Sequence, residues 1–200
     1  MPVDVFLEVI RRGTQTLKGE TRDREFGRRH AIEINSFKLG SGDVQSAIRG
    51  AEQEERKSPS QKWKVAKQEA MDMGDNMEVD EPDEDKFTFT VNKTFDSASP
   101  DLFVSYCEAA ALKTKPFEKA IVSVRKTGQV YLVLTFEQVY VTEYAMDLSA
   151  GDTDGIPDED VTFCFSTCKM EYWKQQESGR LDPQVIVRKF DFFESNKAPA

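Results

Sequence analysis

"SPDLFVSYCEAAALKTKP", residues 99–116, is the strongest helical signal in a chain whose other apolar segments alternate with a period of two. Ser99 is placed to cap the first turn, and Pro100 suits the first helical position, where no amide hydrogen is needed. Asp101 sits at the end of the helix dipole that favours negative charge, Lys113 and Lys115 at the end that favours positive. Pro116 stops the element, so the spacing predicts a helix over 99–115. Leu102, Tyr106 and Ala109, with Phe103, Cys107 and Ala110 one step round, predict a stripe facing a core, and Ser105 and Glu108 predict the wet side. Burying Leu102, Phe103 and Tyr106 would contribute roughly 1.5–3 kcal/mol each, which requires a broad surface to pack on, and a sheet supplies one.

The strands are read from alternation. Asp4–Ile10 opens the chain, His30–Phe37 follows a polar turn, and Phe87–Phe95 puts Phe87, Phe89 and Val91 on one face. After the helix come Ala120–Lys126 and Gln129–Met146, joined by a hairpin turn in which Gly128 supplies positive φ. Val161–Tyr172 and Val185–Phe193 are the last two strands. Val130, Leu132, Leu134 and Phe136 line one side of their strand and Tyr131 and Val133 the other, so the helix or another subunit must cover the second face. The pattern predicts a mainly β fold, a barrel-like or sandwich arrangement with one flanking helix, over a single domain of residues 1–200.

Between Gly40 and Lys86 the character changes. Residues 41–85 carry 13 acidic and 6 basic side chains, and so account for −7 of the net charge of −9. Such a composition buries too little apolar surface to offset ordering entropy, and the segment reads as a long acidic insertion, helical only in part. The negative total excludes a nucleic-acid partner, whose phosphates require a basic surface, and an anionic membrane. No apolar run approaches the ~18 residues of a membrane span, and "MPVDVFLEVIRR" reads as a first strand rather than a signal peptide. Cys107, Cys164 and Cys168 have no framework spacing and are expected to be buried, reduced thiols.

Catalytic chemistry finds little support. His30, the single histidine, has no partner motif. "GDTDGIPDED" (151–160) alternates Asp152, Asp154 and Asp158 around a glycine but lacks the closing bidentate glutamate of a calcium loop, so it reads as an acidic hairpin loop. Cys164 and Cys168 lack the further ligands of a zinc site, and Gly40–Gly42 lacks the lysine of a phosphate loop. No cofactor, metal or catalytic residue is expected.

"NKTFDSASPDL" (92–102) resembles the haemolysin-coregulated protein (Hcp) family of type VI secretion, through Lys93, Asp96, Ser99, Pro100 and Leu102. "KGETRD" carries a second block on Lys18, Gly19, Glu20 and Asp23, followed by "AIEINSF" (31–37). "AIVSVRKTG" carries a third on Arg125, Lys126 and Gly128, leading into "VYLVLTFEQVYV" (130–141) and "DVTFCFSTCKMEY" (160–172). The resemblance implies a barrel of two sheets beside one helix, hexameric rings stacked into a tube inside a contractile sheath, and a tip spike. It also implies effectors as cargo, and a protein that is cytoplasmic before firing and exported afterwards without a signal peptide. The partners so implied are further copies of the chain, sheath and spike proteins, and effectors. In this family the loop corresponding to the acidic segment reaches neighbouring subunits and rings, which makes Trp63, Lys64 and Lys67 candidates for ring contact. The chain departs from the family pattern in the length and acidity of that loop, and in Thr142–Glu143 where a Ser-Ser pair is usual. Two other classes compete with a structural tube component: a monomeric barrel that binds a small ligand, and a metal-assisted enzyme built on the acidic loops.

Overall fold

The computed structural model describes residues 3–11, 13, 15–40, 87–111, 115–148, 155–176 and 179–191; segment 41–85, with Trp63, Lys64 and Lys67, lies outside them. The described strands are β1 (Val3–Ile10), β2 (Ile32–Glu33), β3 (Ser36–Leu39), β4 (Thr88–Thr94), β5 (Phe117–Lys126), β6 (Gln129–Asp147), β7 (Asp158–Cys164), β8 (Thr167–Gln175) and β9 (Leu181–Asp191). One α-helix, α1 (Ser99–Ala110), lies between β4 and β5. Every pairing is antiparallel, in the order β2-β1-β5-β6-β7-β4-β3, with β8 on β6 and β9 on β8.

The two ends of that order, β2 and β3, are neighbours in sequence. Ile34 N–H donates to Val5 O and Asn35 N–H to Asn92 O, so the chain passes from one sheet to the other and the barrel closes there. The stretch read as one strand over His30–Phe37 is therefore two short strands with a bend between them. Val161–Tyr172 divides in the same way, into β7 and β8 about a corner at Phe165–Ser166. At each corner the inward set changes parity, from Ile32 and Ile34 to Phe37 and from Val161, Phe163 and Phe165 to Cys168, but the apolar residues follow so closely that each stretch reads as one strand.

Strand β6 belongs to both sheets. Its first part pairs with β5 and β8, its second with β7. Three irregularities set its curvature. At Val124/Arg125 the β5–β6 register jumps past Tyr131, at Gln138 φ is +53°, and at Val141/Glu143 the β6–β7 register jumps past Thr142. Each bulge moves the inward set by one position, so Leu134 and Phe136, then Val139 and Val141, then Tyr144 face the core. The first bulge corrects the reading of Val130. It does not line up with Leu132, Leu134 and Phe136 but packs with Phe6, Phe26 and Ala31 on the opposite face. The cover for that face comes mainly from the segment around the 3₁₀ turn Phe26–Arg29, where Phe26 stacks on Phe6 at 4.0 Å. The helix instead packs on β6 farther along, through Phe103 and Tyr106 against Tyr144.

The barrel core is aliphatic around an aromatic centre, with Phe89 stacked on Phe136 (4.3 Å) and on Phe163 (4.8 Å). Ala98 and Leu102 of the helix join it. The buried stripe of α1 is narrower than expected: Ser99, Leu102 and Ser105 are buried, while Phe103 and Cys107 are exposed. Ser105 fits inside because its hydroxyl donates to the carbonyl of Asp101 at 2.8 Å. The helix ends at Ala110 rather than at residue 115. Two further expectations are corrected. Ala98, not Ser99, is the N-cap, and the cysteine thiols are not buried, since Cys107 is exposed and Cys164 and Cys168 are half-exposed.

Candidate functional site

Phe89, Val91 and Lys93 share the inward face of β4, as Glu159, Val161 and Phe163 share that of β7, and the register sets Lys93 opposite Glu159. A lysine and a glutamate thus occupy core positions. Both side chains have no exposed surface, and they form an ion pair through Nζ and Oε1. Lys93 Nζ also reaches Asp96 Oδ1 at 2.9 Å, Ser99 Oγ at 2.9 Å and the carbonyl of Thr94 at 2.9 Å. Ser99 O–H donates to Glu159 Oε1 at 2.7 Å, and Tyr144 O–H donates to the other carboxylate oxygen, Oε2. Burial, reinforced by the Glu159 carboxylate, raises the Tyr144 hydroxyl far above the usual phenol range.

This arrangement explains why Ser99 does not cap the helix. Asp96 Oδ1 accepts from Ala98 N–H at 2.9 Å, and Ser99 Oγ accepts from Asp96 N–H at 2.9 Å, so the two side chains fold the entry to α1 around the lysine. Pro100 follows in the first turn and Leu102 anchors it in the core. Lys93, Asp96, Ser99, Pro100 and Leu102, read as one motif, are here one device that joins β4, α1 and β7. Sequence reasoning did not pick out Glu159 or Tyr144. A signal for Glu159 existed: "DEDVTFC" places an acid on the inward parity with Val161 and Phe163, matching the lysine on the inward parity of β4.

A second cluster gathers the other two blocks. Arg125 reaches Asp23 Oδ2 at 2.7 Å and Asp4 Oδ2 at 2.9 Å, with its guanidinium over the rings of Phe6 (5.0 Å) and Phe26 (5.6 Å). Asp23 Oδ1 meanwhile accepts from the amides of Glu25 and Phe26, both at 2.9 Å, and so starts the 3₁₀ turn. The Arg125 hydrogen bond, with help from those amides, lowers the Asp23 carboxyl from 3.8 to about 2. Gly19 lies against the backbone of Ala31: a Cβ there would stand 2.2 Å from the Ala31 carbonyl oxygen. Its amide donates to His30 O at 2.9 Å, and the carbonyl of Lys18 accepts from the Ser97 hydroxyl, next to the lysine network. Glu20 is exposed and Lys126 half-buried; Gly128, with φ +78°, closes the β5–β6 turn together with Thr127 at φ +50°.

Beside the 3₁₀ turn, Glu8 is buried, and Arg29 approaches it with opposite charge at 3.5 Å. Burial raises its pKa and Arg29 opposes the rise. His30 is exposed in a left-handed conformation (φ 58°), where its amide closes the 3₁₀ turn. In the acidic stretch, Asp158 accepts from Thr94 Oγ1 at 3.4 Å and Asp160 from Asn92 Nδ2 at 2.9 Å, so both belong to β7; Asp152 and Asp154 lie outside the described residues. Among the described residues no group of three or more His, Cys, Asp or Glu side chains is placed to hold a metal ion. The Thr142–Glu143 departure falls on a bulge, where Thr142 donates to Thr162 O and Glu143 accepts from Thr162 Oγ1 at 3.0 Å.

The lysine cluster is buried and the arginine cluster part-exposed, and both hold elements of the chain together. Comparison with known proteins then supplies a context. Residues 6–172 match the sequence profile of the family described as type VI secretion system effector, Hcp. The chain belongs to the Hcp family. Its fold is shared with a solved type six secretion system protein (TM-score 0.64, 17% identity, 98% of this chain and 99% of that one). It is shared also with Hcp1 from Salmonella typhimurium (TM-score 0.57, 22% identity, 98% and 99%). A type VI secretion system effector from Yersinia pestis aligns over 94% and 99%, with a TM-score of 0.54 and 22% identity. No curated protein sequence is detectably similar. Membership in the Hcp family makes this a secreted tube protein of type VI secretion. No helix among the described residues is long and apolar enough to cross a membrane.

Proposed function

We propose that this Hcp chain is the ring-forming subunit of the secretion tube: six copies close into a ring, rings stack, and the tube leaves the cell with its cargo and spike. One observation carries the ring. Cys168 begins the core-side face of the β8–β9 ribbon, and beyond it the same face continues with Met170 (39% exposed), Tyr172 (38%) and Ile186 (49%). A ribbon that is apolar on the face turned to the core, yet uncovered, matches a surface completed by a neighbouring subunit. Closure into a ring requires that the covering surface be a different one, as in any head-to-tail contact.

On this reading the sheath, spike and effectors are the partners. The chain works as a structural part, cytoplasmic before firing and exported afterwards. Segment 41–85 serves as an insertion that touches adjacent rings through Trp63, Lys64 and Lys67, on the strength of its sequence alone. Sizing by light scattering, with negative-stain microscopy, tests the ring. Particles of six times the 22.8 kDa chain mass with a central hole are expected. A monomer at all micromolar concentrations would overturn the proposal.

A further inference from the structure

We propose that residues 15–31 form a proton-operated clasp over β1, seated while Glu8 is protonated and loosened once its carboxylate ionises. Phe6 and Glu8 lie on the face of β1 turned away from Leu7 and Val9, whose side chains fill the barrel. The segment covers that face. Leu17 N–H donates to Val9 O at 2.8 Å, Phe26 stacks on Phe6, and Arg125 binds Asp23 at 2.7 Å. These contacts bury Glu8 without satisfying it. Its Oε1 has no hydrogen-bond partner among the described residues. Arg29 Nη1 stands 3.5 Å away, beyond hydrogen-bond length, while the same guanidinium donates to Glu25 Oε1 at 2.9 Å and lies over the Phe26 ring at 5.3 Å. A buried carboxylate oxygen left unpaired is costly as an anion and far less so as a neutral acid.

The surrounding charges do not remove this cost. Burial, the largest influence, raises the Glu8 carboxyl above its ordinary 4.5; Arg29 opposes the rise and Glu25 adds to it. Arg28 and His30, at the end of the turn, are exposed. Lys119 of β5 lies diagonally across from Glu8 and is engaged with Glu137 of β6 at 3.7 Å. Glu33, opposite Phe6 on β2, accepts from the Thr21 hydroxyl at 3.2 Å, and Asp4, farther along β1, is held by Arg125. Asp23 is lowered to about 2 and stays ionised from pH 5 to pH 8, so the Arg125 end of the clasp does not change in that range. Glu8 does. With its folded pKa raised, it stabilises the seated segment fully below 4.5, and that stabilisation fades as pH climbs through the folded value. Arg22, Arg24 and Arg28 are exposed on the segment, so the clasp sets how firmly these three cations are presented.

Hydrogen exchange read by mass spectrometry tests the clasp, with peptides of β4 and β7 as the reference and with correction for the intrinsic pH dependence of exchange. In the wild type, protection over 15–31 should fall roughly threefold or more from pH 5 to pH 8 while the reference strands keep theirs. Glu8→Gln, neutral at both pH values, should abolish that fall. Glu25→Gln, at an exposed position, should shrink it by freeing Arg29 and removing a like charge. His30→Gln should leave it unchanged. A wild-type segment equally protected at both pH values would overturn the proposal, as would a fall that persists in Glu8→Gln or disappears in His30→Gln. Should Glu8→Gln fail to fold, an undiminished fall in Glu25→Gln would overturn it.

Discussion

Replacing Lys93 with methionine removes the one cation among the described residues that touches Glu159, while keeping much of the stem volume. Glu159 keeps the Ser99 and Tyr144 hydroxyls as donors, but its charge stays fully buried without a counter-ion. Breaking a buried pair from one side costs about 3–5 kcal/mol, and the two remaining hydrogen bonds place the expected loss toward the lower end, about 3 kcal/mol. Asp96, also in contact with Lys93, is less buried and is solvated more readily. Urea unfolding followed by tryptophan fluorescence and circular dichroism, at neutral pH and at fixed protein concentration, measures the loss. The double variant Lys93→Met/Glu159→Leu should recover much of it, since an apolar pair leaves no buried charge behind. A single variant within about 1 kcal/mol of wild type, or a double variant weaker than the single, would refute the view that the charge pair holds this corner.

Gly19→Ala should destabilise by about 2 kcal/mol or more, because the new methyl meets backbone at Ala31 rather than a side chain that can move aside; a thermal melt unchanged from wild type would count against that contact. Asp23→Asn should lower stability at neutral pH. Since the Asp23 carboxyl is depressed from 3.8 to about 2, its contribution is whole above 3.8 and disappears as pH falls toward 2, so the two stability curves should converge there. Curves that stay parallel from pH 7 to pH 2 would show that the Arg125 contact contributes nothing. Leu102→Ala, at a position with no exposed surface, should cost about 2–5 kcal/mol by chemical denaturation.

The elements that repeat a simple period were legible. β1, β4, β5 and the span of β6 stand within a few residues of the alternation that predicted them, and the helix starts at Ser99, one residue before the Pro100 start that was expected. What alternation does not carry is a change of direction. The bends at Ile34–Asn35 and Phe165–Ser166, and the bulges at Tyr131 and Gln138, need no glycine or proline, and each was passed over. That is why Val130 was set on the wrong face. The site was half legible: the resemblance singled out Lys93, Asp96 and Ser99 in one block and Asp23 and Arg125 in two others, but gave no hint of why. Lys93 reads as an ordinary polar residue near a strand end until its partner is known, and Glu159 lies 66 positions away, where only the β4–β7 register brings it near.

The pairing of β1 with β5 has a consequence for the order in which the protein is made. Val3–Ile10 meets the nearby β2 only through Phe6 and Leu7 and finds its full-length partner at Lys119–Lys126, and β4, with β3 on one edge, waits for Asp158–Cys164 on the other. The later strands, by contrast, find theirs close by: β5 and β6 fold back across a two-residue turn, and β8 and β9 form the adjacent ribbon. A chain emerging from the ribosome therefore leaves one edge of β1 open until β5 has followed it. The local β5–β6 and β8–β9 pairings are expected to form before the β1–β5 pairing, which leaves β1 the strand most exposed to mispairing with its own copies.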